Sequence, residues 1–487
     1  MVKYMLRRVV ACLAVIAMTL SLTVNAMEPY NNYTYDSDEN LWLEPQAYYA
    51  DHIILGSELG IGDFEKPSDV FVAEDGRIYI ADTGNNRIVI LKSDGTPDRE
   101  IKSFQNNGKQ DSLLSPQGIF VTEDNTLYIA DTENKRIVIL GADGNLLREI
   151  TEPDFNVDQS FSYAPYRISV DNAGRMFIVS KNINYGMIEL DKNGEFSSFY
   201  GAIKVSSSLV DALWRKIATQ KQKEKMIQNV PTEYSSNAID KDGFIYGTIS
   251  TQDAEHFIRK LNSLGIDVLR RMGAVAADGD VGSLDEKGNV IRSSLADICV
   301  MDNGVYSVLD SKRGRVFTYN NDGSLMYVFG ALGTQKGCFV RPTALDVTKD
   351  HTYLVLDSGS NKIVCFKPTE YAEKINTAVE LQFLRDYSEA EKVWMDMLKY
   401  SSKSEMAYSE IGKAYYRQGS YQKAMEYFEM ANDRDQYSKA YKEYRRQIMN
   451  DSFGAVMTGL SIIVLVLLVL MFIRRRRKRN RASKRFD

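Results

Sequence analysis

The stretch that decides the fold is KPSDVFVAEDGRIYIADTGNNRIVIL, residues 66–91. It returns 49 residues later as SPQGIFVTEDNTLYIADTENKRIVIL, residues 115–140, and a weaker third copy begins another 49 residues on, at Pro165. A repeat of fixed period and this length indicates a propeller or a solenoid.

Turn residues divide each copy into strands. Three short β-rich runs are separated by turns of the Asp-Gly type, and a fourth run follows, such as Leu147–Ile150. Four antiparallel strands in one repeat make a propeller blade. The first hairpin turn of each unit falls at Asp75-Gly76, Asp124-Asn125, Ala173-Gly174, Asp242-Gly243, Asn303-Gly304 and Asp350-His351. The count predicts six blades over residues 48–367.

The sixth unit ends early. Its third strand, around Ile363, is followed at once by Pro368, so no fourth strand remains on this side of the sequence. A strand near the start of the domain, Asp51–Leu55, can fill the gap. Pairing the first strand with the last unit would leave no open edge in the ring, and we therefore predict this closure.

These units resemble the NHL repeat family, which forms six-bladed propellers. The element Ala-Asp-Thr-x-Asn-x-Arg-Ile stands at 81–88 and 130–137. Glycines followed by Phe and Pro precede the blades, as in Gly60, Gly62, Phe64 and Pro67, and as in Gly330, Gly333, Gly337, Phe339 and Pro342. The resemblance implies an all-β six-bladed propeller; the fourth unit matches the pattern least well.

Long insertions identify the face most suited to binding. The second turn of each blade and the connections between blades share one face, and the insertions at 174–243 and 243–304 fall there. Long loops on a rigid scaffold usually carry function. One insertion contains an amphipathic pattern at 207–229 with Trp214, and the other is acidic around Asp278 and Asp280, followed by Asp285 and Glu286. The predicted binding residues on this face are Asn85, Asn134, Asn184, Trp214, His256, Asp278, Asp280 and Arg313.

Catalysis has weaker support in the sequence. The chain has three histidines, two of them outside the long loops, and a zinc enzyme needs three protein ligands. Gluconolactonase-like propellers hold a divalent metal in the central channel, whereas an NHL-type lyase uses zinc held by histidines. A carboxylate site for calcium or magnesium stays an open alternative. The aspartates that recur at one blade position favour a structural role, bonding the following turn. They are Asp82, Asp131, Asp310 and Asp357. We predict no catalytic residue, metal ligand or cofactor.

Helical periodicity replaces the strands after the propeller. Residues 369–450 contain scarcely any Gly or Pro. The spacing of Gly412, Ala424 and Phe428, with Tyr408 and Tyr415, resembles the tetratricopeptide (TPR) pattern of small and large residues. One clear repeat and one degenerate repeat are expected. A spacer and a peptide-binding groove are both compatible with so short an array.

The two ends predict the compartment. Residues 1–26 read as a secretory signal peptide, 27–47 as a linker, and 454–473 as a transmembrane helix of 20 uncharged residues. The last 14 residues, 474–487, hold nine of the sixty basic residues. Positive charge after the span predicts a cytoplasmic tail and an ectodomain outside. Cys299, Cys338 and Cys365 are expected to be buried free thiols.

Together these patterns predict a single-pass bacterial surface protein that displays a propeller for recognition. The expected partner is an extracytoplasmic protein, peptide or glycan, with an envelope or transporter complex as one setting. The net charge of −5 and the acidic body argue against nucleic acid as a partner. The alternative function is a metal-dependent lactonase or lyase acting outside the cytoplasm.

Overall fold

The computed structural model describes residues 28–155, 162–202, 233–250, 254–280 and 292–483, with only the backbone at 455 and 477–483. Two compact units are present. The first comprises Leu41–Ala372 and the residues described before Asp36; the second comprises Asp36–Asn40 and the residues described from Glu373 onward. The predicted signal peptide, the 207–229 segment with Trp214, Asp285, Glu286 and the end of the basic tail lie outside the described residues.

The first unit is a six-bladed β-propeller, as the repeats predict. From residue 28 onward, three strands precede the first blade: β1 (Asn32–Tyr35), β2 (Leu41–Glu44) and β3 (Tyr48–Ile54). Blade one consists of β4 (Asp69–Val72), β5 (Ile78–Asp82), β6 (Arg87–Leu91) and β7 (Pro97–Ile101). A small hairpin follows, β8 (Ser103–Asn106) with β9 (Lys109–Ser112).

Blades two and three repeat this meander. Blade two contains β10 (Pro116–Val121), β11 (Leu127–Asp131), β12 (Arg136–Leu140) and β13 (Leu146–Ile150). Blade three contains β14 (Pro165–Val170), β15 (Met176–Ser180), β16 (Met187–Leu190) and β17 (Phe196–Tyr200). In both blades each strand pairs antiparallel with the next strand along the chain.

Blades four to six complete the ring. Blade four contains β18 (Tyr234–Ile239), β19 (Ile245–Ile249) and β20 (Ile258–Leu261). Blade five contains β21 (Leu295–Val300), β22 (Tyr306–Asp310), β23 (Arg315–Tyr319) and β24 (Leu325–Phe329), and β25 (Ala331–Leu332) then pairs parallel with β26 (Cys338–Phe339). Blade six contains β27 (Pro342–Val347), β28 (Tyr353–Asp357) and β29 (Lys362–Pro368).

The sixth blade is closed by β3, the strand expected from the sequence. In the order β27-β28-β29-β3, Ile53 lies opposite Val364 and His52 lies opposite Cys365. Tyr48, at the start of β3, is fully buried, and its ring lies 5.1 Å from that of Tyr327 and 4.7 Å from that of Phe329, measured between centroids. Strand pairing and aromatic packing therefore both hold the ring shut.

The burial of each strand follows its position in the blade. The second and third strands are covered on both faces by neighbouring blades, so β5 and β6 are buried along their whole length. Their sequences, IYIAD and RIVIL, are continuous β-branched and apolar runs, the composition that such strands require. Outer strands such as β7 are mostly exposed and polar. Apolar clusters between adjacent blades form the core.

Blade four is the least regular, as its weak sequence match suggests. Its sheet has three strands, and the fourth position is occupied by a segment that makes a single bridge, Asp267 to Leu261. Leu264 and Ile266 on this segment are exposed, whereas Leu269 is buried. The segment then continues along blade five, where the backbone N–H of Met272 donates to the carbonyl of Asp322.

The prediction of a linker at 27–47 was wrong for most of its length. Residues 32–44 form the hairpin β1–β2, in which Tyr33 pairs with Leu43 and Tyr35 with Leu41. The side chains of Tyr33 and Tyr35 are buried, and the Asn32 carboxamide accepts the backbone N–H of Val328 on β24. Alternating tyrosines on β1 therefore pack this segment against blade five.

The second unit is helical. The helices are α1 (Glu370–Phe383), which belongs to this unit from Glu373 onward, and α2 (Tyr387–Met397), α3 (Glu405–Arg417), α4 (Tyr421–Met430) and α5 (Arg434–Ser483). Asp386 caps α2 and Ser404 caps α3 through side-chain bonds to backbone N–H groups. A Cβ on Gly412 of α3 would meet the ring of Phe428 on α4 at 2.7 Å, so only glycine permits this close packing. Whether the helices form true TPR repeats stays a prediction.

The last helix joins two elements that the sequence separated. Helix α5 runs without a break from Arg434 through the expected span at 454–473 to Ser483. It is the helix, within the described residues, that is long and apolar enough to cross a membrane, and its apolar window is not buried within the protein. Large side chains such as Leu465 and Phe472 are exposed along it.

Candidate functional site

The face predicted to bind is built on turns that carry the repeat motif. In blade one Asp82 lies opposite Arg87 across the β5–β6 hairpin. The buried Asp82 carboxylate accepts the Nε–H of Arg87 at 2.7 Å, the backbone N–H of Glu65 at 2.7 Å and the amide of Asn85 at 2.8 Å. One aspartate thus ties the turn to the strand and to the connection from the previous blade.

Blade two repeats the arrangement. Asp131 accepts from Arg136 Nε, from the Asn134 amide and from the backbone N–H of Leu114. The Asn134 amide also donates to the Ser112 carbonyl, just as that of Asn85 donates to the Asp63 carbonyl. The amide donors of Asn85 and Asn134 are therefore engaged within the turn, and a role for these residues in ligand binding stays a prediction.

Blade five departs from this pattern around Asp280. Arg315, opposite Asp310 in the hairpin, donates to Asp280 at 2.7 Å instead. Arg313 bridges Asp310 and Asp280, each at 3.1 Å. Asp280 also accepts the hydroxyl groups of Tyr33 at 3.1 Å and Tyr35 at 2.6 Å. The two predicted binding residues Asp280 and Arg313 are thus brought together, and they anchor the β1–β2 hairpin.

His256 and Asp278 form a second contact on this face. The Nδ1 atom of His256 lies 3.0 Å from an Asp278 carboxylate oxygen, and the other oxygen accepts the backbone N–H of Phe257. About a third of the His256 side chain is exposed. The pair is therefore oriented and accessible. Asn184 is partly exposed on the turn between β15 and β16, and its role in binding stays a prediction.

The central channel contains an arginine that the sequence reasoning did not single out. Arg167 is buried, and its guanidinium donates to the carbonyls of Gln117 at 2.9 Å, Ser68 at 3.1 Å and Thr343 at 3.3 Å. These carbonyls belong to blades two, one and six, whereas Arg167 belongs to blade three. A group within bonding distance of four blades must lie close to the axis, so Arg167 fills this level of the channel.

Two buried carboxylates share this arginine. Asp69 of blade one lies 3.9 Å from Arg167, and Asp297 of blade five lies 3.8 Å from it. The backbone N–H of Ile119 donates to Asp69, and the Ser236 hydroxyl of blade four donates to Asp297 at 2.6 Å. The network therefore includes groups from all six blades.

The network has one guanidinium, that of Arg167, for the two carboxyl groups of Asp69 and Asp297. Burial raises the pKa of Asp69 to about 7 and also raises the pKa of Asp297, while the Arg167 guanidinium opposes both shifts. One cation stands between two carboxylates, so the first proton is taken up well above the ordinary range of an aspartate. A third carboxylate, Asp346, accepts the backbone N–H groups of Val72 and Val347.

The residue packed against the backbone of Arg167 is Gly118, and there is no room there for a side chain. Gly118 occupies the position of blade two that corresponds to Asp69 and Arg167 in their blades. A Cβ there would meet the Tyr166 carbonyl at 2.6 Å and the Cα of Arg167 at 3.0 Å. Aligning the inner strands of the repeats could have revealed the ring of Asp69, Gly118, Arg167, Ser236, Asp297 and Ala344.

A cleft opens beside the channel between blades six and one. It has a volume of about 800 Å³. Lys66 and Arg341, each directly before a proline, are exposed cations in its wall, and Asp63 and Glu65 are exposed carboxylates. The full lining is Asp63, Phe64, Glu65, Lys66, Asn85, Val340, Arg341, Ser358, Gly359 and Asn361. The lining therefore combines charges of both signs with the apolar side chains of Phe64 and Val340.

Metal chemistry has no evident protein site in the part of the chain that the structure describes. Within those ranges no three His, Cys, Asp or Glu side chains cluster in a way that could hold an ion. Cys299, Cys338 and Cys365 are free and buried, as expected. The channel carboxylates face a guanidinium, which occupies the place that a cation would need.

The fold and its repeated turns define the class: a six-bladed β-propeller with NHL repeats. A family model described as NHL repeat matches residues 64–91 and 113–140. A second model, described as 6-bladed beta-propeller, matches residues 284–443, which extend from blade five into α5. No curated protein matches the sequence significantly.

Solved structures share the fold at low identity. A streptogramin B lyase is 12% identical with a TM-score of 0.41, over 66% of this chain and 98% of the lyase. A putative gluconolactonase is 10% identical with a TM-score of 0.37, over 63% of this chain and 89% of the other. A protein of unknown function from Bacteroides thetaiotaomicron is 11% identical with a TM-score of 0.42, over 68% and 80%. Such remote likenesses do not bear on activity.

Proposed function

We propose that this chain is a membrane-anchored, extracytoplasmic scaffold whose propeller binds a protein, peptide or glycan on the face that carries the long loops. The observation that carries the proposal is the position of Arg167. Its guanidinium occupies the channel and bonds to groups from four blades, so the polar groups of the axis are used to hold the ring together. We therefore assign recognition to the face that carries the long loops.

Three features of that face support binding. The cleft between blades six and one exposes Lys66 and Arg341, for which no ion pair occurs among the described residues. The His256–Asp278 pair presents an oriented imidazole. The β1–β2 hairpin adds a further surface, anchored through Asp280. Trp214 and the 207–229 segment remain predicted contributors.

The alternative function, a metal-dependent lactonase or lyase, draws less support from the channel. A divalent cation near Asp69 and Asp297 would lie against the guanidinium of Arg167 and would be repelled by it. An enzyme of this kind would need metal-ligating side chains elsewhere, on the face that carries the long loops. Metal that copurifies with the protein would reveal such a site.

Membrane attachment is the second part of the proposal. Helix α5 carries an uncharged stretch of the length that crosses a bilayer, followed by consecutive arginines from Arg474. We infer that this stretch spans the plasma membrane once, with the propeller outside and the basic tail in the cytoplasm. A bacterial envelope or transporter complex is the setting that we propose.

The binding face is tested by affinity capture with the tagged full chain in intact membranes. The charge reversals Lys66→Glu and Arg341→Glu alter the cleft. The reversals Lys92→Glu and Lys349→Glu, on turns of the opposite face, make the same change in net charge and serve as the matched control.

We expect a partner that wild type and control both retain and that the cleft variant loses at least tenfold. A partner retained by all three chains would move the site away from the cleft. Capture of nothing, together with one divalent ion per purified chain, would favour the enzyme.

A further inference from the structure

The strand β2 has exposed apolar side chains and also an edge that pairs with no other strand of the described residues, two features that soluble proteins rarely combine. Leu41, Trp42 and Leu43 are exposed by 51%, 40% and 62%, and they are consecutive on a strand that pairs with β1 on one side. Single exposed apolar residues are common, but three in succession on the edge of a sheet form a template for pairing.

The hydrogen-bond pattern shows which backbone groups point outward. The backbone N–H of Asp36 donates to the carbonyl of Asn40 at 3.0 Å, which makes these residues a hydrogen-bonded pair. Such pairs alternate with non-hydrogen-bonded pairs along an antiparallel ladder. With Tyr35 opposite Leu41 and Tyr33 opposite Leu43, the N–H and C=O groups of Leu41 and Leu43 face away from β1. No residue within the described ranges bonds to them.

This edge is held in place from behind. The hydroxyl groups of Tyr33 and Tyr35 donate to Asp280, and Arg315 donates to the Tyr33 hydroxyl at 2.9 Å. A strand fixed in this way loses little conformational entropy when another strand is added. Two usual protections against edge pairing, a lysine and a bulge, do not occur within β2, and the charge that the strand carries, Glu44, lies at its last position.

The charge around the strand indicates the partner. Residues 36–44 contain Asp36, Asp38, Glu39 and Glu44 and no basic residue. We propose that β2 binds an extended segment of a partner protein that carries lysine or arginine between apolar residues, and that the segment joins the hairpin as a third strand. The inference rests on the proposed scaffold function and assigns it a surface and a kind of ligand.

The test uses the full chain in lipid nanodiscs and a fluorescent eight-residue peptide of alternating lysine and valine. Leu43→Pro removes the outward N–H while sparing the bonds to β1, and Leu43→Val keeps that N–H as the matched control. Fluorescence anisotropy gives the affinity. We expect Leu43→Val to bind within twofold of wild type and Leu43→Pro at least tenfold more weakly. A glutamate–valine peptide of equal length should bind at least tenfold more weakly than the lysine peptide.

A second variant guards against misfolding of the proline variant. Leu43→Lys keeps the backbone N–H but places a cation on the edge, and it should weaken the lysine peptide at least tenfold. Equal binding by wild type, Leu43→Pro and Leu43→Lys would overturn the inference. So would equal binding of the two peptides, or a wild-type dimer that Leu43→Pro dissociates, since the occupant would then be a second copy. A membrane partner captured equally by wild type and Leu43→Pro would also overturn it, while leaving the scaffold function intact.

Discussion

Arg167 is the residue at which contacts between the blades of the ring converge. Its carbonyl acceptors lie on inner strands or directly before them, and its two carboxylate neighbours lie on blades one and five. A buried charge is costly unless it is paired and hydrogen-bonded, and here both conditions are met through groups from different blades. The arginine therefore links blades that do not touch one another directly.

Replacing this arginine should destabilise the propeller strongly. In Arg167→Met the side chain keeps its apolar stem, but Asp69 and Asp297 lose their cation. We expect the free energy of unfolding to fall by about 3–5 kcal/mol, the usual cost of breaking a buried ion pair from one side. Urea denaturation followed by circular dichroism measures the change.

Removing the charges on both sides gives the control. The variant Arg167→Met with Asp69→Asn and Asp297→Asn removes the two carboxylates that lie against Arg167 and leaves Asp346 with its two backbone donors, so it should recover much of the lost stability. A loss below about 1 kcal/mol in Arg167→Met alone would contradict the role assigned to the arginine.

The raised pKa of Asp69 predicts a dependence of stability on pH. An aspartate in the unfolded chain has a pKa of about 3.9, whereas that of Asp69 is raised by burial to about 7. Between these values the folded state holds a proton that the unfolded state has released. The stabilisation is thus complete below about pH 4 and is lost as the pH rises toward 7, with a slope of at most about 1.4 kcal/mol per pH unit.

Asp69→Asn should reduce the slope of the free energy of unfolding in denaturation measured from pH 4 to 8. Burial also raises the pKa of Asp346 to about 7, so part of the slope remains in this variant. The control Asp94→Asn changes an exposed carboxylate whose pKa is lowered by the Thr96 side chain and backbone, so its contribution is lost only below about pH 4. Identical slopes for wild type and Asp69→Asn would show that Asp69 is ionised throughout.

Much at this scale was predictable from local sequence. The aspartates of the repeat bond the following turn, as expected, because the motif places Asp, Asn and Arg within six residues. Arg167 was missed because its partners are 50, 99 and 176 residues away. Contacts between residues so far apart produce no recognisable motif in the local sequence. Only a comparison of equivalent positions in the six blades could have identified this arginine.

Among the elements, β3 shows how far pattern alone can lead. The missing strand of the sixth unit and the strand-like segment at 51–55 together predicted the closure that the structure contains. The β1–β2 hairpin was not predicted, although Tyr33, Tyr35, Leu41 and Leu43 alternate on either side of an acidic turn. The hairpin is anchored through Asp280, which is 245 residues from Tyr35 in the sequence. Its strands are also too short to give a clear alternating pattern.

Tyr48 offers a test of closure. In Tyr48→Ala the closing strand loses a ring that packs on Tyr327, Phe329 and Tyr353. We expect a loss of about 3–5 kcal/mol in the free energy of unfolding, as for other buried aromatic truncations. Proteolysis of the native protein should become faster as the ring opens.

Tyr48→Phe is the matched control. It keeps the ring and removes a hydroxyl whose contact with the Tyr327 hydroxyl is long, at 3.4 Å. A change of about 1 kcal/mol or less is expected. Equal destabilisation by both substitutions would mean that the hydroxyl, and not the packing of the ring, secures β3.

The whole molecule depends on α5 for its proposed location. Arginine at the centre of a transmembrane helix costs about 2.5–3.5 kcal/mol per residue in insertion. The pair Leu465→Arg and Leu468→Arg should therefore release the chain from membranes, which alkaline carbonate extraction detects. The exposed positions Tyr441 and Ile448, outside the apolar stretch, provide a control pair with the same two arginines.

We expect that control to remain with the membrane pellet. If the double variant at Leu465 and Leu468 also stays in the pellet, α5 does not act as the anchor, and association must come from another part of the chain.

The closure of the ring has a consequence for how the protein is made. About 320 residues separate Tyr48 on β3 from the end of its partner strand at Pro368. At a synthesis rate of roughly 5–20 residues per second, the first strand waits on the order of 15–60 s before its partner leaves the ribosome. Any chain interrupted in that interval carries two unpaired edges, one from each end of an unfinished circle. Each could accept a strand from another nascent copy, so the fidelity of assembly rests on the last residues of the propeller to be translated.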